Sequence, residues 1–216
     1  MPQTFTLKRG LEKIHIAEIT EDTLENYTAG TPQHLIPGGE LSITVDNEKT
    51  PFYFDNTVFA QIGKEGDSEV TITGAGLRAA MIAYITGKSV DQTTGAVIDS
   101  GIFENRYFAL GAEMNNIDGT KEMFWFSKGS FAIPDTNAKT EDDSTDASGN
   151  ELTYTAIKTQ HKFTNGKVNK RVVIDTETTQ IKTSKDWFEQ VVTPDNVGTI
   201  CEIVSAAVAN AGNDPE

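Results

Sequence analysis

The sequence predicts a mainly β protein: a β-sandwich or barrel with one packed α-helix, long loops and terminal arms. Apolar and polar residues alternate over several short runs, most clearly at residues 41–45, which is typical of half-buried strands. Residues 76–86 show the clearest helical spacing of apolar side chains. The chain has neither an internal repeat nor a clean linker, so residues 1–216 are predicted to form a single domain.

The N-terminal stretch is predicted to hold an arm, a strand and a series of turns. Residues 1–10 have too few apolar side chains for a core element and are predicted to be an N-terminal arm. Residues 13–19 are the first predicted strand. Residues 20–39 contain repeated Gly and Pro, which favours turns.

The alternating strand at residues 41–45 is expected to lead into a hairpin. Residues 46–51 are polar and predict a turn, and residues 52–54 begin the return strand. Residues 57–62 fit either a strand or a loop. Residues 64–67 predict a second turn before an alternating strand at residues 69–73.

The predicted helix at residues 76–86 has a continuous apolar face, and Gly87 follows as a plausible C-cap. The residues of that face are Leu77, Ala80, Met81, Tyr84 and Ile85. A weak strand is expected after the helix, near Val97 and Ile98.

Residues 106–133 predict a hairpin that is apolar on both faces. The turn is placed at residues 115–120, because the Asp118-Gly119 pair tolerates positive φ. One face of the return strand carries Phe124 and Phe126, and the other carries Met123, Trp125 and Ser127. Both faces therefore need a cover, one from sheet packing and the other from a neighbouring subunit.

Residues 135–150 are rich in Asp, Thr and Ser and predict a solvated acidic loop that stays out of any continuous sheet. A strand is expected at residues 152–163, with Leu152, Tyr154 and Ala156 on its apolar face. Asn165-Gly166 then predicts a hairpin turn into a strand at residues 168–175.

The C-terminal part predicts two short helices. Residues 184–191 would form the first, with Ser184 as N-cap and Trp187, Phe188 and Val191 directed inward. Residues 196–209 would form an amphipathic helix within a C-terminal segment at 195–216. Its last residues, 211–216, are expected to fray.

Charge and composition exclude several classes of protein. The formal net charge is −14, which disfavours binding to phosphates or to anionic membranes. Cys201 is the single cysteine, so an intrachain disulfide framework and a cysteine-based zinc site are excluded. The chain has no apolar run of membrane-spanning length and no apolar signal region, so we expect synthesis in a cytosol-like compartment.

We find no catalytic, cofactor or metal-ligating constellation in the sequence, and we expect the protein not to be an enzyme. The acidic pairs, Glu21-Asp22 and Asp142-Asp143, lie in loop-like sequence. Glu113 and Glu122 are expected to face each other across the hairpin as a surface pair. The three histidines, His15, His34 and His161, are far apart in the chain and lack metal-binding spacing.

Several short motifs, taken in order, resemble the major tail proteins of long, non-contractile-tailed bacteriophages. The motifs are Phe52-Tyr53-Phe54-Asp55-Asn56, ALGAE at 109–113, DGT at 118–120, FWFSKGSF at 124–131 with Pro134, and AKTED at 138–142. The resemblance covers roughly residues 11–163. The chain differs from the family pattern in the acidic stretch from Glu141 to Asn150 and after Pro194.

The resemblance implies a structural virion protein with the tail tube type of β fold and no active site. Such subunits stack as hexameric rings into a tube in which the inner sheets join around a lumen. The implied partners are other copies of the chain, the tape-measure protein, tail terminator and tail-tip proteins, and DNA that passes without specific binding. Synthesis would occur in the host bacterial cytoplasm, with no membrane binding. The alternative from a different class is a secreted or surface β-sandwich binding module.

Two sets of residues follow as expected contacts of the assembled tube. The predicted turn at residues 46–51 is expected to contact the next ring through Asp46, Asn47, Glu48, Lys49 and Thr50. Glu40 and Glu69 are expected to face the lumen, because an acidic lining would repel the phosphates of DNA.

Overall fold

The computed structural model describes residues 5–54, 57–102, 104–134, 150–182 and 184–204. Strands dominate this part of the chain, which confirms the mainly β prediction. The elements in chain order are β1 Lys8–Asp22, β2 Tyr27–Ala29, β3 Gln33–Ile36, β4 Gly38–Phe54, β5 Thr57–Gly74, α1 Ala79–Thr86, β6 Ser89–Val90, β7 Val97–Ile98, β8 Phe108–Asn116, β9 Lys121–Phe131, β10 Asn150–Ala156, β11 Arg171–Asp175, β12 Thr179–Ile181, α2 Val197–Ile200 and β13 Cys201–Ile203.

Seven of these strands form one antiparallel sheet in the order β2-β1-β8-β9-β10-β5-β4. Two further strands join it, β3 beside β1 and β11 beside β9. Only Pro37 separates β3 from β4, so the chain that pairs with β1 at one end of the sheet continues directly into the strand at the other end. The sheet must therefore curl back on itself, as in a barrel.

The inside of the curled sheet holds the larger apolar cluster. Phe126 of β9 packs against Phe124 of the same strand and against Tyr154 of β10. Helix α1 adds Ile85, and its Met81 and Tyr84 pack against the cluster. Gly87 ends α1 in the left-handed conformation, as predicted. Tyr154 donates its hydroxyl hydrogen to the carbonyl oxygen of Phe108 at 2.7 Å, so its polar atom is satisfied inside the core.

A second apolar cluster covers the outer face of β8 and β9. Met123 and Trp125 face this side, and Trp187 and Val192, which lie between β12 and α2, pack onto them. The indole N–H of Trp125 donates to the carbonyl oxygen of Trp187 at 3.1 Å. The predicted facing of β9 is confirmed, but the cover expected from a neighbouring subunit is supplied by the chain itself.

The first hairpin is much longer than predicted. Residues 46–51 and 64–67, which were expected to be turns, belong to strands β4 and β5: Asn47 lies opposite Glu65 and Glu48 opposite Lys64. The chain reverses instead between Phe54 and Thr57. We call residues 46–54 and 57–67 the ribbon; in the described chain its strands pair only with each other, because β10 pairs with β5 only from residue 68 to residue 74.

Several other boundaries differ from the sequence prediction. Residues 8–10 of the expected N-terminal arm belong to β1, and the turn-rich stretch at 20–39 contains β2, β3 and the start of β4. The turn at Gly166 forms, but β10 and β11 do not make a hairpin, because both pair with β9. Most of the acidic loop, residues 135–149, lies outside the described residues, and residue 150 already begins β10.

The two predicted C-terminal helices are also revised. Residues 184–191 form turns rather than a helix, although Trp187 and Val191 are buried as expected. The described part of the second predicted helix, residues 196–204, holds only the single turn of α2, and β13 begins at Cys201. The pairing of β13 with β12 explains the change, since strand pairing competes with helix extension. Residues 205–216 lie outside the described residues.

Gly111 of β8 provides a test of the packing around β9. A β-carbon at this position would lie 2.7 Å from ring atoms of Trp125, a side chain with no solvent exposure. We expect Gly111→Ala to lower the free energy of unfolding by about 2 kcal/mol through overpacking. Gly198→Ala is the matched control, because a β-carbon there meets no atom within 4 Å. Urea unfolding measures both variants, and equal stabilities would contradict the packing described here.

Candidate functional site

The outer surface of β4, β5 and β10 is a continuous polar face of exposed and half-buried side chains. Inward residues such as Ile43 and Val70 alternate with outward ones, because successive side chains of a strand point to opposite faces. The register aligns the outward side chains in three cross-strand rows. The rows are Glu40, Thr73 and Glu151; Ser42, Thr71 and Thr153; and Thr44, Glu69 and Thr155.

Three of these nine described side chains are carboxylates, six carry hydroxyl groups and none carries a positive charge. The structure places Glu40 and Glu69, the two acids predicted from the sequence, on this face. Glu151 completes it, although the sequence analysis did not single it out. The strand alternation of β10 could have identified Glu151, but only the register places it in a row with Glu40.

The ribbon extends beyond the polar face and ends in exposed aromatic side chains. Phe54 is 63% exposed and Phe59 is 76% exposed, and their ring centres lie 5.3 Å apart. We call these two residues, with three exposed neighbours, the aromatic tip: Phe52, Tyr53, Phe54, Val58 and Phe59. Clustered exposed apolar side chains of this size commonly mark an interaction surface.

The five residues predicted to make the inter-ring contact lie along the ribbon rather than at its end. Asp46, Asn47, Glu48, Lys49 and Thr50 are exposed. The strand register shifts between Val45 and Asn47, so a bulge lies where the ribbon leaves the curled sheet. Their contact with another subunit remains a prediction.

Glu113 is buried on the outer side of β8 between two lysines. Lys13 lies 3.0 Å from one carboxylate oxygen and Lys121 contacts the other. Burial raises the pKa of Glu113, but the two lysines outweigh it and the net pKa is below the usual value. Glu113 and Glu122 do not face each other as predicted: Glu113 lies opposite Met123, whereas Glu122 lies opposite Met114 and pairs with Lys8 at 3.2 Å.

A second buried ion pair joins the end of β1 to β9. Lys128 lies 2.6 Å from Asp22, and their side chains are only 7% and 3% exposed. The Asp22 carboxylate also accepts hydrogen bonds from the backbone N–H groups of Gln160 and His161. Burial raises the pKa of Asp22, but Lys128 and the two backbone donors bring the net pKa below its usual value.

Two clefts and the single cysteine involve none of the polar face residues. The larger cleft, of about 430 Å³, runs between β2 and the C-terminal segment and includes His161 and Asp195. The smaller, of about 300 Å³, includes Glu113 and Trp187. Cys201 is buried in the outer cluster, as expected of a small apolar residue, and burial raises its thiol pKa.

The described residues contain no group of three or more His, Cys, Asp or Glu side chains arranged to hold a metal ion. The strand register brings His15 and His34 together, although they are far apart in the chain. None of the helices in the described ranges is long and apolar enough to cross a membrane.

Comparison with known proteins identifies a distant structural likeness. Neither a protein-family model nor a curated protein matches the chain. Among solved structures, the cryo-EM structure of the tube-terminating cap of the anti-feeding prophage is similar over 80% of this chain and 95% of that chain, at 9% sequence identity and a TM-score of 0.40. A likeness at this level assigns neither a function nor an assembly.

The buried Asp22–Lys128 pair predicts a specific dependence of stability on pH. Because the folded-state pKa of Asp22 is depressed, its stabilisation is present above its unfolded pKa, near 3.8, and is lost as pH falls through the lower folded value. We expect Asp22→Asn to cost about 2–3 kcal/mol near neutral pH, since it leaves Lys128 buried and unpaired. The variant should also show a flatter loss of stability below about pH 4.

Chemical unfolding at a series of pH values measures both effects. Asp99→Asn serves as the control, because the Asp99 side chain is 55% exposed in its pair with Lys88. If the two variants lose similar stability, the Asp22–Lys128 pair does not hold the end of β1 against β9.

Proposed function

We propose that this protein is a structural subunit of a phage tail tube that assembles as stacked hexameric rings around a DNA-conducting lumen. The sequence motifs that resemble major tail proteins suggest this role. The observation that carries the proposal is the ribbon, which leaves the folded core and presents an aromatic tip to solvent. The role is structural and non-catalytic, and it requires no cofactor.

The ribbon is difficult to explain as part of an isolated subunit. A two-stranded ribbon is marginally stable alone, and within the described chain its outer half has no third strand beside it. Burying one large apolar side chain contributes about 1.5–3 kcal/mol. Docking of the aromatic tip on another subunit would therefore stabilise both the ribbon and the assembly.

The contact between rings is accordingly assigned to the aromatic tip together with the polar residues behind it. Phe54 and Phe59 would supply the apolar centre of the contact. Asp46, Asn47, Glu48, Lys49 and Thr50 would form its polar rim, where charged pairs set register more than affinity.

The polar face is assigned to the lumen of the tube. The nine side chains of this face carry hydroxyl groups and three carboxylates but no positive charge that could bind a phosphate. The carboxylates repel the phosphates of DNA, so the DNA can slide along the face. Its strands would join those of neighbouring subunits into a continuous wall. The further partners would be the tape-measure protein, tail terminator and tail-tip proteins, with synthesis in the bacterial host and final location in the virion tail.

Substitution of the aromatic tip tests the assembly. We expect Phe54→Ser with Phe59→Ser to leave a folded, soluble subunit with nearly unchanged thermal unfolding, because both side chains are largely exposed. Negative-stain microscopy should show tubes for the parent protein and no long tubes for the variant. The control is Ile98→Ser with Ile203→Ser, which removes exposed apolar side chains elsewhere. Normal tubes from the tip variant would contradict the assigned contact.

Charge reversal on the polar face tests the lumen. We expect the triple variant Glu40→Lys, Glu69→Lys and Glu151→Lys to fold, because all three side chains are exposed. Its preformed tubes should retain DNA in a salt-dependent manner, whereas parent tubes should not.

The matched control carries the same change of charge at exposed acids outside the polar face: Glu12→Lys, Glu25→Lys and Glu104→Lys. A filter-binding assay at several salt concentrations compares the three proteins. Equal DNA retention by both triple variants would show that the polar face does not line the channel.

A further inference from the structure

The pairing of β1 with β3 brings two histidines to directly opposite positions. His15 of β1 lies opposite His34 of β3, although 18 residues separate them in the sequence. Their ring centres lie 5.5 Å apart, with the ring planes nearly perpendicular. Both side chains therefore project from the same face of the sheet, which is the arrangement in which cross-strand pairs interact directly.

The ring of His15 is held in a defined orientation. Its Nδ1 atom lies 2.8 Å from the carbonyl oxygen of Lys13. A carbonyl oxygen only accepts hydrogen bonds, so Nδ1 carries the proton and donates it, and the lone pair of the neutral ring is on Nε2. Phe188 stacks on the same ring at 4.6 Å. A backbone acceptor on one ring nitrogen is the usual support of a metal-binding histidine.

The surroundings of His34 favour its neutral form. Partial burial, followed by the neighbouring His15, lowers the pKa of His34. The nearby cation Lys13 is paired with Glu113 at 3.0 Å, so its charge is largely compensated. His34 is exposed, which leaves its ring free to rotate about χ2 towards His15 and leaves space for water ligands.

We propose that His15 and His34 form a two-imidazole binding site for a divalent transition-metal ion of the Zn²⁺ and Cu²⁺ class. Imidazole suits these ions, and a nitrogen–metal distance of about 2.0 Å places the centres of two rings on one tetrahedral ion about 5 Å apart. The observed 5.5 Å separation fits this requirement. Water would complete the coordination, so binding is weaker than at a three- or four-residue site.

Such an ion would cross-link β1 to β3, next to the corner where the sheet curls back into β4. Because the unfolded chain does not hold the two histidines together, the ion binds the folded state preferentially and stabilises it. The third histidine provides an internal comparison: His161 packs against Phe163, and its Nδ1 atom is buried without a partner among the described residues.

Titration of the metal-free protein, prepared without an affinity tag, tests the site. Isothermal calorimetry with ZnCl₂ near neutral pH should give one ion per chain, and ZnCl₂ should raise the thermal unfolding temperature in a manner reversed by a chelator. His34→Ala should weaken binding at least about tenfold, because one of the two ligand bonds is lost. His15→Asn should have the same effect, with folding of each variant checked by circular dichroism.

His161→Ala and Cys201→Ser are the controls and should bind the ion as the parent does. An independent readout is the electron paramagnetic resonance spectrum of bound Cu²⁺. The spectrum should show two nitrogen ligands in the parent protein and one in the His34→Ala variant. Absence of binding at about 1 mM ZnCl₂, or unchanged affinity in a folded His34→Ala variant, overturns the proposal.

Discussion

The central constraint on this structure is that β9 must bury large side chains on both of its faces. Phe124 and Phe126 point into the curled sheet, while Met123 and Trp125 point out of it. A single sheet can cover only one face of such a strand, so the chain needs a second cover. The stretch around Trp187, between β12 and α2, provides it. This explains why that stretch follows the surface of the sheet in turns rather than forming an independent helix.

This two-sided burial determines which surfaces remain for other molecules. Both faces of the hairpin of β8 and β9 are buried by other parts of the same chain. Buried ion pairs, Lys128 with Asp22 and Lys13 with Glu113, also connect β1 to this hairpin. The exposed surface with the most regular pattern then lies on β4, β5 and β10, where polar side chains form aligned rows. The ribbon continues from β4 and β5, so these two strands connect the polar face to the aromatic tip.

The ribbon also shows where the hydrophobic pattern of the sequence fails to predict strand boundaries. Residues 46–51 and 64–67 are polar and contain Gly or Pro, which predicts turns when a strand is assumed to have one buried face. In a ribbon exposed on both faces, polar side chains carry no such penalty, and the strand continues through them. The bulge beside Asp46 marks the point where the buried pattern ends, whereas the chain reverses only after Phe54.

The sequence by itself determined the mainly β class, the facing of β9, the C-cap of α1 and the inward residues of β10, because each depends on local periodicity or on one residue's backbone preference. It also placed Glu40 and Glu69 on polar strand faces. Only the tertiary structure decided that Glu40 and Glu69 share a surface with Glu151, that Glu113 meets two lysines rather than Glu122, and that His15 lies beside His34. These outcomes depend on strand register between segments distant in the chain, and register is set by the packing of all the strands together.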